Sequence, residues 1–189
     1  MSRAYRIAVR ETLRRVLRAH DRVSTQLELL EILPADDMAE LLARELEGRG
    51  FARKDGNLVR EKDGVVVSVD PKKGEVTVSS ESSQEVEIHQ AREGTAFDDA
   101  GPSAKSVRSV LRKQAQEDLE KQAGKKTAEI QTAVTDRLEK QLNDLRRELD
   151  QAVNRVTAEA LKQKAAQMGQ IKEMTEDPQT GSLTIVVEV

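Results

Sequence analysis

Residues 103–175 contain no proline and are dominated by Ala, Gln, Glu, Lys, Leu and Arg, and an apolar segment follows them. Together these features constrain the fold more than anything else in the chain. The composition is that of strong helix formers. An unbroken helix of about 73 residues would span roughly 110 Å at 1.5 Å per residue. In the segment after it, Leu183, Ile185, Val187 and Val189 share one parity, which predicts a strand. A lone apolar strand exposes its edge and does not stand by itself, so this one must rejoin a sheet. Two routes allow that. The helix can fold back, with Gly124 followed by Lys125-Lys126 as the best candidate break, or two chains can pair antiparallel and exchange their last strands. The fold-back is favoured, although its arms, about 20 and 50 residues long, are unequal.

The helical stretch is not uniform. Its central section carries a heptad, Leu138, Leu142, Leu145, Leu149, Ala152 and Val156, with alternating steps of four and three. That is a coiled-coil seam. Val107, Leu111, Ala115, Leu119 and Ala123 step by four throughout, which drifts around a straight helix. Ser103 is placed to cap the start. The seam leucines with Val156 are candidate partner-binding residues. For the first third of the helix, packing on the chain's own sheet explains the pattern equally well.

The text before residue 96 reads differently. Tyr5, Ile7, Val9, Leu13 and Leu17 lie on one parity, and Arg6, Arg10, Thr12, Arg14 and Arg18 on the other. Period two predicts a strand with one buried face, broken on its apolar side by Glu11 and Arg15. A helix over residues 9–17 fits the local pattern as well. His20-Asp21-Arg22 reads as a turn, and Val23, Thr25, Leu27 and Leu29 resume the alternation, so residues 4–33 are expected to form a long hairpin. Pro34-Ala35-Asp36-Asp37 opens a helix, since proline suits a first turn and acids suit the positive end of the helix dipole. Gly48 and Gly50 end it. Asp55-Gly56-Asn57 and Asp63-Gly64 are hairpin turns, and Asp70-Pro71-Lys72-Lys73-Gly74 connects two Val-rich strands. One more strand is expected over residues 84–90, then a loop over 93–102. The Asp-Pro-x-x-Gly pattern recurs at residues 177–181 and is read as the same turn chemistry used twice.

The expected fold is therefore α+β. A small antiparallel β-rich domain with one short helix occupies residues 1–95. A loop and long coiled-coil-like arm follow over 96–175, and a strand over 176–189 returns to the sheet.

Composition narrows the function. Hydrophobic residues make up 37% and charged residues 34%, more polar than an ordinary globular domain and suited to an elongated part. The absence of cysteine removes disulfides, zinc fingers and thiol nucleophiles, and fits a reducing, cytoplasmic setting. No apolar run reaches membrane-spanning length and no signal core opens the chain. The two histidines, His20 and His89, lie in no metal spacing. Asp36-Asp37 fits helix-start electrostatics, and the adjacent carboxylates of Asp98-Asp99 rarely converge on one substrate. A Ser103/Lys105/Ser106 coincidence is better explained by capping. Without a phosphate loop or a nucleophile motif, no enzyme, catalytic residue, cofactor or metal is expected.

Charge is unevenly placed. Residues 1–22 hold seven arginines against Glu11 and Asp21, a balance of +5 in a chain of net −3. Arg6, Arg10, Arg14 and Arg18 form a candidate basic patch, whose plainer reading is a solvated strand face. Single-strand nucleic-acid platforms also need exposed aromatics, and this chain has only Tyr5, Phe51 and Phe97. Nucleic-acid binding is thus the alternative to protein–protein assembly.

The segments Tyr5-Arg6-Ile7-Ala8-Val9-Arg10-Glu11 and Val23-Ser24-Thr25-Gln26-Leu27-Glu28-Leu29-Leu30-Glu31-Ile32-Leu33-Pro34, with a helix ending in Gly50-Phe51, resemble accessory proteins of bacterial FtsH ternary systems. The likeness covers roughly residues 1–80 and the strand after Gly181. Those systems join an FtsH-type protease, a MoxR-type AAA+ ATPase and a von Willebrand A protein. The resemblance implies a non-enzymatic adaptor in an ATP-driven complex, with protein partners or a second copy of itself, and it carries over no active-site residues.

Overall fold

The computed structural model describes residues 4–97, 102–176 and 183–188. It is a mixed α+β structure with β1 (Ala4–Gln26), α1 (Ala35–Gly48), β2 (Ala52–Lys54), β3 (Asn57–Lys62), β4 (Val65–Asp70), β5 (Glu75–Phe97), α2 (Ala104–Met168), β6 (Gln170–Glu176) and β7 (Leu183–Glu188). Five strands form one sheet in the order β1-β5-β4-β3-β2, and β6 and β7 form a second. The chain divides into two compact units. The first comprises Met1–His20 and Glu81–Thr135, and the second comprises Asp21–Ser80 and Asp136–Val189.

In the first unit the alternation of β1 is realised as a strand, which resolves the ambiguity over residues 9–17. Ile7, Val9, Leu17 and Ala19 are buried, and the arginines between them are exposed. The expected hairpin over residues 4–33 does not form. β1 continues through His20-Asp21-Arg22 and is 23 residues long. No glycine or proline interrupts it there, and its partner is the equally long β5 rather than its own second half. β5 likewise runs unbroken through Phe97, where a separate strand and a loop were expected. Helix α2 covers the apolar face of these strands. Leu17, Val86 and Ile88 pack with Leu119 and Ala123, and Ile7, Val9 and Ala96 pack with Leu111. Gly94 permits the approach, since a Cβ there would lie 3.1 Å from Leu111 Cδ1 and 3.3 Å from Val107 Cγ1.

The polar residues that interrupt the apolar parity of β1 face the same helix. Glu11 accepts a hydrogen bond from Arg112 at 2.8 Å, and Arg15 donates two to Glu120 at 3.0 and 3.1 Å. On β5, Arg92 donates to Asp118 at 2.8 Å through Nε, and that contact holds the Asp118 carboxyl below its ordinary range. Ion pairs thus take over where the stripe is not apolar.

In the second unit β2 to β5 form an antiparallel meander, with Leu58 opposite Val69 and Val67 opposite Val78. The Asp55-Gly56 and Asp63-Gly64 pairs all have positive φ, at 51°, 85°, 52° and 73°. That is the geometry of the mirror-image turns which match strand twist. The core joins Val65, Val67, Val69, Val76 and Val78 of the sheet to Leu42, Leu46 and Met38 of α1 and to Leu138, Leu145, Leu149 and Val156 of α2. Leu42, Leu46, Val69 and Val76 are fully buried. Each such side chain contributes roughly 1.5–3 kcal/mol by leaving water.

Helix α2 runs from Ala104 to Met168 without the break expected near Gly124. A single mid-helix glycine costs about 1 kcal/mol relative to alanine. The adjacent turn, with Leu119 and Ala123 buried against strands, offsets that. The helix ends earlier than its composition suggests. Residues 170–176 are a strand, β6, that pairs antiparallel with β7, Ile171 opposite Val187 and Met174 opposite Ile185. The last strand does join a sheet, but it is this local two-stranded one rather than the five-stranded sheet. The fold-back of α2 is accordingly not needed to bring it home.

Candidate functional site

Both strands of the first unit leave a backbone edge without a strand beside it among the described residues, since β4 pairs only with Glu75–Ser80 of β5, and β1 is the one whose polar face carries the arginine row. It is an edge strand of the sheet, so one side of its backbone has no strand beside it among the described residues. Its apolar face is occupied by α2. What remains available is that backbone edge and the polar face carrying Arg6, Arg10, Arg14 and Arg18, all exposed.

The neighbouring strand β5 already answers part of that charge. Arg6 donates to Glu93, through Nε at 3.0 Å, and Arg14 donates to Glu87 at 3.0 Å. Between them Thr12 Oγ1 lies 2.9 Å from His89 Nδ1, and His89 Nε2 is 3.6 Å from Glu87. His89 is therefore part of a cross-strand polar row, and His20 offers its backbone carbonyl to Gln131 at 3.2 Å. Arg10 and Arg18 form no ion pair among the described residues. Exposed pairs of this kind are each worth little for stability. Their value is as a charge pattern along the strand.

The seam residues lie in the second unit, facing inward. Leu138, Leu145, Leu149 and Val156 are buried in that unit's core, and Leu142 is partly buried beside it. Leu142 lines a groove of about 840 Å³ with Val76, Val78, Leu149 and Val153. The heptad pattern thus matches a helix lying on its own sheet.

A second constellation in that unit was not legible from spacing. Arg60 on β3 and Glu148 on α2 form a two-pronged ion pair at 2.6 and 2.7 Å across 88 residues of sequence. The guanidinium stacks 4.4 Å from the Phe51 ring centroid and donates to the Arg49 carbonyl at 3.1 Å. Its hydrogen bonds hold the Glu148 carboxyl below the ordinary glutamate range, against the opposing effect of burial. Arg60 Nε is buried without a partner among the described atoms. The pair borders a groove of about 400 Å³ lined also by Lys62, Asp63, Arg137 and Asp144. Planar guanidinium over an aromatic ring with a bidentate carboxylate is a structural clamp.

The other residues weighed for chemistry have ordinary surroundings. Asp36 sits at the start of α1 and pairs with Lys72 at 2.9 Å, which lowers its pKa. Ser103 accepts a hydrogen bond from the Ser106 amide at 3.2 Å, as a helix cap does. Asp98 and Asp99 lie outside the described residues. Among the described residues no group of three His, Asp or Glu could hold a metal ion, and no helix is long and apolar enough to cross a membrane.

Along residues 1–189 the sequence matches the family model described as FtsH ternary system domain X5. No curated protein and no solved structure matches the chain.

Proposed function

The chain belongs to the FtsH ternary system domain X5 family, and we propose on that basis that it is a non-enzymatic adaptor, a cytoplasmic accessory component that holds protein partners within an FtsH-associated system. The observation that carries this reading is the family match over the full sequence. The fold supports it in two ways. Its polar constellations are explained by stability: capping, cross-strand pairs and the Arg60–Glu148 clamp. Its longest exposed feature is a strand edge, and strand edges bind polypeptides through backbone hydrogen bonds.

The reading shifts the binding surface from the helical seam to β1. Leu138, Leu145, Leu149 and Val156 are used for folding of the second unit, whereas β1 has an edge to offer. Protein is favoured over nucleic acid because Arg6 and Arg14 already carry carboxylate partners, so the face is mixed in sign rather than uniformly basic. The test is reconstitution from purified components. The chain is mixed with an FtsH-type protease, a MoxR-type ATPase and a von Willebrand A protein of such a system, and complexes are resolved by size-exclusion chromatography with light scattering. Co-elution with at least one component is expected. No complex with any of them, with or without ATP, refutes the adaptor reading.

A further inference from the structure

We infer that the free edge of β1 in the first unit is a docking site for an acidic, extended polypeptide segment of a partner protein, which adds to the sheet as a further strand. The inference deepens the adaptor reading and rests on it for the identity of the partner as a protein.

Strand length comes first. β1 is 23 residues long and lies at the edge of its sheet. Strands are usually about 5–6 residues, and natural sheets keep their edges short, bulged or covered. Residues 4–20, the part of β1 within the first unit, are uninterrupted strand and contain neither proline nor glycine. Alternate residues of an edge strand direct both N–H and C=O outward, so about eight residues here present backbone pairs to an incoming chain.

Charge then selects the occupant. Arg6, Arg10, Arg14 and Arg18 recur every fourth residue on one face. The one strand known to lie beside them, β5, presents glutamates: Glu93 takes Arg6 and Glu87 takes Arg14. Arg10 and Arg18 are left without an ion pair among the described residues. They are eight residues apart, roughly 27 Å along a strand. A strand added on the free side with Glu or Asp on the same face, at matching intervals, would engage them as β5 engages the other two.

A second copy fits less well. Antiparallel pairing of β1 with another β1 sets an arginine row against an arginine row, and like charges across a strand pair are destabilising. Pairing of β1 with the β5 of another copy is a head-to-tail contact, which leaves an open edge at each end unless a ring of copies closes. The acidic segment of a different protein meets neither objection.

The experiment uses the full chain and a labelled synthetic peptide of roughly 12 residues that alternates threonine or valine with polar positions, glutamate being placed at every fourth residue. Three companion peptides replace glutamate by glutamine, replace it by lysine, or carry backbone N-methyl groups on alternate residues. Binding is read by fluorescence anisotropy, and the bound stretch is located by hydrogen exchange. The acidic peptide should bind and protect amides within residues 4–20. The glutamine peptide should bind at least tenfold more weakly, and the lysine and N-methylated peptides should not bind measurably. The substitutions R10E and R18E, both at exposed positions, should weaken the acidic peptide at least tenfold while leaving the thermal unfolding curve unchanged.

Several results overturn the inference. If the N-methylated peptide binds as well as its parent, or if single-stranded DNA competes as strongly as the peptide, the stripe is only an anion patch. If no peptide binds, the arginines only guard the edge against strand pairing. Dependence of the chain's own mass on β1 charge would assign the edge to a second copy instead. Failure of the adaptor reading is distinguishable from all of these. Should the R10E/R18E chain still form the reconstituted complex of the previous section, the adaptor reading stands and the docking inference falls. A wild-type chain that captures the acidic peptide but none of the purified components would sink the adaptor reading alone.

Discussion

Replacing Leu149 and Leu142 separately by alanine distinguishes an inward-facing seam from an assembly seam. Both residues occupy heptad positions, so a coiled coil between chains would use them alike. The structure treats them differently. Leu149 is 3% exposed within the core of the second unit, and Leu142 is partly buried on the rim of a groove. Shortening leucine to alanine removes about three carbons, or roughly 2.4 kcal/mol of transfer free energy when the site is fully buried. A residual cavity adds to this, since the packed sheet and helix cannot close around it, which brings the cost of Leu149→Ala to about 3–4 kcal/mol. Leu142 loses about half the transfer term and leaves no enclosed void, so Leu142→Ala should cost about 1 kcal/mol. Urea titrations followed by circular dichroism supply the measurement, at two protein concentrations about twentyfold apart. Hydrogen exchange over residues 136–160 assigns the loss to the second unit. Equal costs for the two substitutions, or midpoints that rise with protein concentration, would refute the reasoning, because the latter is the mark of stability drawn from association.

Three further outcomes are expected. Glu148→Gln should destabilise the second unit by about 1–2 kcal/mol near neutral pH, two charge-assisted hydrogen bonds being weakened at a site about a quarter exposed. Because the folded-state pKa of Glu148 is depressed, its contribution is fully present above the ordinary value of 4.5 and is lost as pH falls through the folded value. The gap between wild type and variant should therefore close in acid, and a constant gap across pH would contradict the clamp. Gly124→Ala should stabilise by about 0.5–1 kcal/mol, since a Cβ there meets nothing within 4 Å and the helix is continuous; a loss of stability would mean that the helix needs the glycine. Gly169→Ala should open the β6–β7 hairpin, because a Cβ would collide with the Glu188 carbonyl oxygen and lie 2.9 Å from Val187 Cγ1. Limited proteolysis should then release the C-terminal strand, and unchanged resistance would argue against that packing.

Local chemistry made much of this protein readable without coordinates. The alternation of apolar and polar residues over 5–18 pointed to a strand with one wet face, with a helix over residues 9–17 left open until the structure decided. Asp-Gly pairs specified two tight turns, Pro34 with Asp36 and Asp37 specified the start of α1, and a proline-free run of helix formers specified α2. The accessory-family resemblance was carried by the same local texture. Those features are properties of a few consecutive side chains and their backbone preferences, so sequence suffices.

Pairing is a different kind of fact. Whether β1 folds on itself at Asp21 or lies along β5 depends on which distant strand offers a matching apolar face, and no local pattern encodes that. The same holds for Gly124, whose local cost to the helix was outweighed by Leu119 and Ala123 packing on strands far away in sequence. It holds for the heptad, since a seam of leucines is equally complementary to a second helix and to a valine-rich sheet. The Arg60–Glu148 clamp, with its partners 88 residues apart, exists only once the chain is folded. The sequence by itself thus determined the tight turns, the start of α1, the bulk of α2 and the solvated or apolar character of faces, while the extents of β1, β5 and β6 were not legible in it. The tertiary structure alone decided which faces meet, because that choice is made by competition among long-range contacts, and through it left the arginine-bearing β1 with an open backbone edge.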